Sequence, residues 1–335
     1  MKNILLVTTQ YRTGERIYNT IPELSKRYDM DLLRLYQMKP DYKWIGDVNM
    51  VNVFDTKYLE YFDDVYSNIN SVDYMKYDLI LLDDNREKNN LESIYSKERK
   101  CPVVACEHGN RDLSKLDSLK NRGLVFDYGF VFGKKTSKDE LIPIGIPSND
   151  NLMKYGGMDK KHILVIVNFL GNRSAPYVRF DSNVFKEVPL LELQEHYKSP
   201  VVIKLKSRND ERGYIHNVKY LREILPSNLD YSIVVDVEND NKLIAESHCV
   251  ISAPSTMAFK PIQLGIPTVL LKGTGQVGLF YDFVGLVDIK KSTILNELYN
   301  QDRQEIFIES TIEGGLDFNS TSVFLKEIDK LCKEE

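Results

Sequence analysis

At 335 residues the chain exceeds what one hydrophobic core usually organises, and at roughly 100–200 residues per domain it predicts two domains. A composition of 42% hydrophobic and 28% charged residues, with 18 Gly and 12 Pro, excludes collagen-like and disordered chains. Lys and Arg number 44 against 49 Asp and Glu; the net charge of −5 excludes a global basic field for nucleic acid or anionic lipid and leaves a local basic groove open.

The first apolar stretch, within Met1-Lys-Asn-Ile-Leu-Leu-Val, is too short for the core of a signal peptide and predicts a strand over Asn3–Thr8. No run approaches the roughly 18 apolar residues needed to span a bilayer, and the chain reads as cytoplasmic, neither exported nor anchored by its own sequence. Cys101, Cys106, Cys249 and Cys332 lack metal-ligand spacing and read as reduced thiols.

Further strands are predicted at 31–35, 78–82, 102–106 and 129–132, with helices at 16–27 and 91–98 between them. Most of these strands are apolar on both faces, as parallel strands covered by helices must be. Over 57–66 the four-residue spacing of Tyr58, Phe62 and Tyr66 predicts a helix with an aromatic stripe on one face, packed in the core rather than stacked on a ligand as the alternative would have it. Turn-forming residues over 143–161, beginning with Pro143-Ile-Gly-Ile-Pro147, interrupt the rhythm and set a domain boundary between residues 153 and 154. Strands are predicted again at 162–169, 201–205, 233–237, 249–252 and 267–271. The fold class is α/β, with two Rossmann-like domains, 1–153 and 154–335, facing each other across a cleft at the carboxyl ends of their strands.

Within Cys249-Val-Ile-Ser-Ala-Pro-Ser-Thr256, a buried strand ends, Pro254 turns the chain, and Ser255 and Thr256 stand where a helix begins, closed by Gly265. Ser255 is placed to cap that helix, and the free amides behind it make either an ordinary helix start or an anion site. Lys204, Lys206 and Arg208 alternate along one strand face with Arg212 beyond, a solvated strand end or a polyphosphate clamp. Lys272-Gly-Thr-Gly-Gln-Val-Gly278 matches a dinucleotide fingerprint by letter, but it follows a late strand and has Leu298 where an acidic residue belongs. Gly275 and Gln276 then sit in a glycine loop bordering a ligand, and Gly171, in Asn168-Phe-Leu-Gly171, offers backbone amides in the same way. His108, in Cys106-Glu-His-Gly-Asn110, follows a strand end and precedes a glycine, the placement of a general base or of a structural histidine. The remaining histidines show no metal-site spacing, and no metal is expected.

Together these residues resemble the GT-B glycosyltransferases and their relatives, the nucleotide-sugar 2-epimerases and the CDP-glycerol glycerophosphotransferases. The resemblance covers most of the chain in order of elements and is motif-level at Glu107-His-Gly109, at Ile144-Gly-Ile-Pro147 with Asp150 and Leu152, at Val202-Ile-Lys204, and over 252–271. It implies that His108 is the base towards the acceptor, with Gly14, Glu107 and Asn110 on the acceptor side. Ser255, Thr256, Lys204, Arg208, Gly171, Lys260, Gly275 and Gln276 would then line the donor site. Two departures stand out: Lys260 occupies the place where the family carries a ribose-binding Glu, and Lys206-Ser-Arg208 replaces the His-Pro of the glycerophosphotransferases.

The expected activity is metal-independent transfer of a hexosyl or pentosyl group from a nucleotide-sugar donor to a hydroxyl acceptor, with no cofactor beyond that substrate. The acceptor is unassigned, and DNA is one candidate, as in the bacteriophage base glucosyltransferases. The same residues are also compatible with a CDP-glycerol-type phosphotransferase and with a non-catalytic nucleotide-binding module. A 2-epimerase would need acidic residues beside the sugar, and Asp236, Glu238 and Asp240 read instead as a solvated strand end.

Overall fold

A computed structural model of the chain describes residues 1–8, 17–35, 58–83, 88–107, 126–136, 140–167, 188–205, 218–219, 221–234, 239–272, 278–288, 294–299 and 304–333. The first sheet comprises β1 (Lys2–Thr8), β2 (Tyr28–Arg34), β3 (Val65–Tyr66), β4 (Leu79–Leu82), β5 (Val103–Cys106), β6 (Tyr128–Val131) and β7 (Leu141–Pro143). These pair in the order β3-β2-β1-β4-β5-β6-β7, every pair parallel. The second comprises β8 (His162–Val167), β9 (Val201–Leu205), β10 (Tyr231–Val234), β11 (Ser247–Ser252), β12 (Thr268–Lys272) and β13 (Leu286–Asp288). Its order, β10-β9-β8-β11-β12-β13, repeats that of the first sheet and is again all parallel. This is the α/β architecture of two Rossmann-like units.

Helices among the described residues include α1 (Ile21–Leu24), α2 (Lys88–Tyr95), α3 (Leu190–Tyr197), α4 (Asp240–Ala245), α5 (Phe259–Gln263), α6 (Ile294–Tyr299), α7 (Gln304–Thr311) and α8 (Ser320–Leu331). Strand alternation divides each sheet into two buried faces. Ile4 and Leu6 of β1 pack with Leu32, Leu79 and Val104 on one side, and Leu5 and Val7 pack with Leu33, Ile80 and Val103 on the other. In the second sheet Ile163 and Val165 share one core with Leu193 and Ile203, while Leu164 and Ile166 share another with Val202 and Ile244.

Three local expectations are corrected. The stretch predicted as one helix over 57–66 is a 3-10 turn, Leu59–Tyr61, followed by β3. Edge pairing wins there because the sheet takes up the backbone polar groups: Asp63 N donates to Met30 O at 2.8 Å, and Leu32 N donates to Asp64 O at 2.9 Å. Tyr58 and Phe62 are buried in one core, and Tyr66 packs against the opposite one. The described part of the helix expected at 16–27 is a 3-10 turn, Tyr18–Thr20, followed by the single turn α1. Asp240 lies on no strand end; it opens α4, capped by the Asn239 side chain on Lys242 N.

Between β7 and β8 runs a 3-10 stretch, Pro147–Tyr155, which spans the expected boundary at 153 and 154. The last helix, α8, packs Phe324, Leu325, Ile328 and Leu331 into the core of the first sheet. Asp150 holds it there: its carboxylate accepts from Ser320 N at 3.1 Å and Thr321 N at 2.6 Å, capping α8 across 170 residues of chain. Burial raises the Asp150 pKa against those bonds.

The junction itself is tight. Phe132 and Ile146 from the first half join Phe259, Phe280, Phe283 and Phe307 in one cluster. Phe132 meets Phe259 edge-on at 6.0 Å, and Phe259 stacks on Phe280 at 4.4 Å. Gly145 of the Ile-Gly-Ile-Pro motif has φ +76°, and a Cβ there would lie 2.1 Å from Glu313 O and from Ser320 Oγ. Gly133 is similarly confined: a Cβ there would overlap the Thr311 backbone. Only glycine lets the backbones approach this closely.

Candidate functional site

In both sheets the strand order reverses beside the first strand of the unit, between β1 and β4 and between β8 and β11. Ligands of open parallel sheets bind outside the carboxyl ends of the strands at such points. The residues at the two reversals differ in charge.

At the first reversal β1 ends in Thr8, which is fully buried, and its Oγ1 has no hydrogen-bond partner among the described residues. Beside it, Asp83 follows β4 and donates its amide to Val7 O at 3.0 Å. Asp83 is buried, and Tyr18 OH lies 3.5 Å from its Oδ2. One strand further on, buried Glu107 donates its amide to Phe130 O and accepts from Phe132 N at 2.9 Å through Oε2. That bond ties the end of β5 to the end of β6 immediately before His108. Asn19 donates to Pro147 O at 2.8 Å, so the turn beside this edge is pinned to the 3-10 stretch between the sheets.

At the second reversal β11 ends at Ser252, Ser255 adopts an extended backbone, and the chain turns through the 3-10 turn Thr256–Ala258 into α5. Ser255 does not cap through its side chain, contrary to expectation: its Oγ is buried and has no hydrogen-bond partner among the described residues. Its extended backbone, φ −155° and ψ 161°, leaves the turn to backbone bonds such as Ala258 N to Ser255 O at 2.9 Å. Gly265 closes the helix with φ +65°.

Lys204 lies on β9, in register with Ile166 and Val234, on the same strand face as Val202 and hence on the side where Val202 packs with Ile244 of α4. Its side chain is buried, and Nζ sits 3.4 Å from Asp240 Oδ1. Lys260 of α5 donates to Asn241 Oδ1 at 2.7 Å. Two lysines from different elements therefore converge on the first turn of α4, and Asn239 beside them donates to Tyr155 OH at 2.7 Å.

Of the expected site residues, Glu107, Lys204, Ser255, Thr256 and Lys260 are placed as above. Gly14, His108, Asn110, Gly171, Arg208, Gly275 and Gln276 lie outside the described residues. Thr8, Tyr18 and Asp83 were not singled out from the sequence, although a carboxylate directly after the all-apolar strand Leu79–Leu82 was the available signal. Among the described residues, no group of three or more His, Cys, Asp or Glu is arranged to hold a metal ion, and no helix is long and apolar enough to cross a membrane.

No family model and no curated protein sequence matches the chain. Solved structures do. The UDP-GlcNAc 2-epimerase of Neisseria meningitidis, bound to UDP-GlcNAc, superposes with a TM-score of 0.60 at 17% identity, covering 98% of this chain and 100% of that one. Anabaena HepE, in complex with UDP and glucose, gives 0.60 at 11% identity with complete coverage of both chains. The wall teichoic acid polymerase TagF gives 0.55 at 15% identity over 99% of this chain and 90% of that one. At these identities the likeness is one of fold, and the chain has the GT-B fold that UDP-GlcNAc 2-epimerases, glycosyltransferases and the teichoic acid polymerase share.

Proposed function

We propose that the chain is a GT-B-type glycosyltransferase that binds a nucleotide-activated sugar in its second half and transfers the sugar to a hydroxyl acceptor held by its first, without a metal. The observation that carries this reading is the difference between the two strand reversals: two lysines, one of them paired with Asp240, at the second, and the buried carboxylates Asp83 and Glu107 at the first. A nucleoside diphosphate is an anion, and Lys204 with the Ser255 hydroxyl, which has no partner among the described residues, offers it a cation and a neutral donor. UDP and nucleotide sugars bound to neighbours of the same fold support the same ligand class.

In this mechanism Ser255, Thr256, Lys204, Lys260 and Arg208 face the diphosphate and stabilise the charge that develops on the leaving nucleotide, with Gly171, Gly275 and Gln276 at its margin. His108 takes the proton of the acceptor hydroxyl, and Gly14, Glu107 and Asn110 shape the acceptor side. Glu107 acts here through the backbone, fixing the strand end that delivers His108.

A thermal-shift panel of UDP-, GDP-, CDP- and ADP-sugars tests the donor half. One class should raise the melting temperature with concentration, since ligand bound only by the folded chain stabilises it, and a flat panel removes the donor assignment. With that donor, His108→Ala should slow transfer roughly 10²–10⁴-fold at nearly unchanged donor affinity; undiminished turnover removes His108 from the mechanism.

The buried carboxylates Asp83 and Glu107 favour a second reading, a nucleotide-sugar epimerase, which needs acidic groups for proton transfer. An epimerase exchanges a sugar C–H for solvent deuterium without any acceptor, whereas a transferase leaves the unreacted donor unlabelled.

A further inference from the structure

We propose that Asp240 is a resident counter-ion of Lys204 that a nucleoside diphosphate must displace, so that this carboxylate sets how tightly the site holds its ligand. The inference rests on the donor reading given above and concerns the ligand-free arrangement of the same residues.

Lys204 is buried on a strand whose other described residues are all apolar, and Asp240 supplies a carboxylate 3.4 Å from its ammonium. A pair retained for stability alone repays its desolvation through well-directed hydrogen bonds. This pair lacks one at its acceptor: Asp240 Oδ1 is buried and, among the described residues, accepts no hydrogen bond of normal geometry. The attraction is therefore coulombic, and a phosphate oxygen forming a directed, charge-assisted bond to Lys204 is the better partner.

Releasing Asp240 does not unravel α4. The helix is capped by Asn239 on Lys242 N at 3.0 Å, and its Ile244 and Ala245 are buried independently of the pair. The neighbouring cation meets the same helix differently: Lys260 reaches it through the neutral amide of Asn241, whereas Lys204 reaches it through an opposing charge.

The experiment is calorimetric titration of the full chain with UDP, CDP, GDP and ADP, comparing the wild type with Asp240→Asn. The substitution keeps the shape and removes the charge, and at an effective dielectric near 20 it should tighten diphosphate binding on the order of tenfold. Affinity for the corresponding uncharged nucleoside should not change. Asp317→Asn, which alters the net charge equally at an exposed position, should leave diphosphate affinity unchanged. The gain should also vanish in a Lys204→Met background, because the two residues act on one another.

Equal or weaker diphosphate binding by a folded Asp240→Asn protein overturns the proposal, as does a gain that survives Lys204→Met. Asp240→Ser serves as a second variant against loss of folding and carries the same expectation. If no diphosphate binds the wild type or either variant, the donor reading itself fails. If the wild type binds and the variants bind no tighter, only the role of Asp240 fails.

Discussion

The two strand reversals share a strand order and differ in the charges beside them: buried carboxylates at the first, a lysine with its carboxylate counter-ion and a second lysine at the second. Each holds a buried hydroxyl with no hydrogen-bond partner among the described residues, Thr8 Oγ1 at the end of β1 and Ser255 Oγ three residues beyond β11. Around Thr8 the buried groups are acids, Asp83 and Glu107; around the second reversal they include Lys204, with Lys260 nearby. Leaving a polar group buried without a partner costs about 1–3 kcal/mol, a cost more readily understood where a ligand later supplies the partner. One strand order therefore carries buried acids beside one reversal and a lysine–carboxylate pair beside the other.

The largest expected effect breaks the comparison by loosening the junction that holds the two sheets in one molecule. Gly145→Ala forces a side chain into contact with Glu313 O and Ser320 Oγ at a positive φ, and should cost about 3 kcal/mol of unfolding free energy in urea titration. A loss under about 1 kcal/mol would show that α8 and Asp150 yield more easily than the packing suggests.

A smaller effect sharpens the comparison directly. Ser255→Ala should weaken nucleotide diphosphate binding about tenfold, the worth of one hydrogen bond to a charged group, while leaving the melting temperature of the free protein unchanged or slightly raised. Thr8→Val removes the buried hydroxyl at the end of β1 and should leave that affinity unaltered. If both substitutions weaken the nucleotide equally, the two reversals are not separate sites.

The smallest effect is a pH dependence. Burial holds His162 below the ordinary imidazole value, and burial with the nearby Lys160 charge does the same for His248. Near pH 6 the folded chain then binds fewer protons than the unfolded one. The stability they contribute is complete above about pH 6.5 and is lost as pH falls through their folded values. Both sit on the amino ends of β8 and β11, where His162 Nε2 pairs with Leu243 O at 2.9 Å and His248 Nε2 with Ser199 Oγ at 2.9 Å. Hydrogen exchange at pH 5 should therefore open β8 and β11 before β1 and β4; the reverse order would remove the histidines as the cause.

The sequence alone established the parallel α/β class, because its strands are apolar on both faces, a pattern that parallel sheets buried under helices require. It located Val201–Leu205 to the residue and most other strands within a few residues. It could not show β3, β7 or β13, which are two or three residues long and form because a neighbouring strand takes up their backbone groups. Nor could it show that Asp150 caps a helix 170 residues away, or that Lys204 and Lys260 meet on α4. Strand order is a long-range property: residue spacing fixes which face a side chain takes, whereas only the folded sheet decides which strand ends lie beside each other. For that reason Ser255 and Lys204 were legible as separate candidates, and their difference from Thr8 and Asp83 emerged only from the tertiary structure.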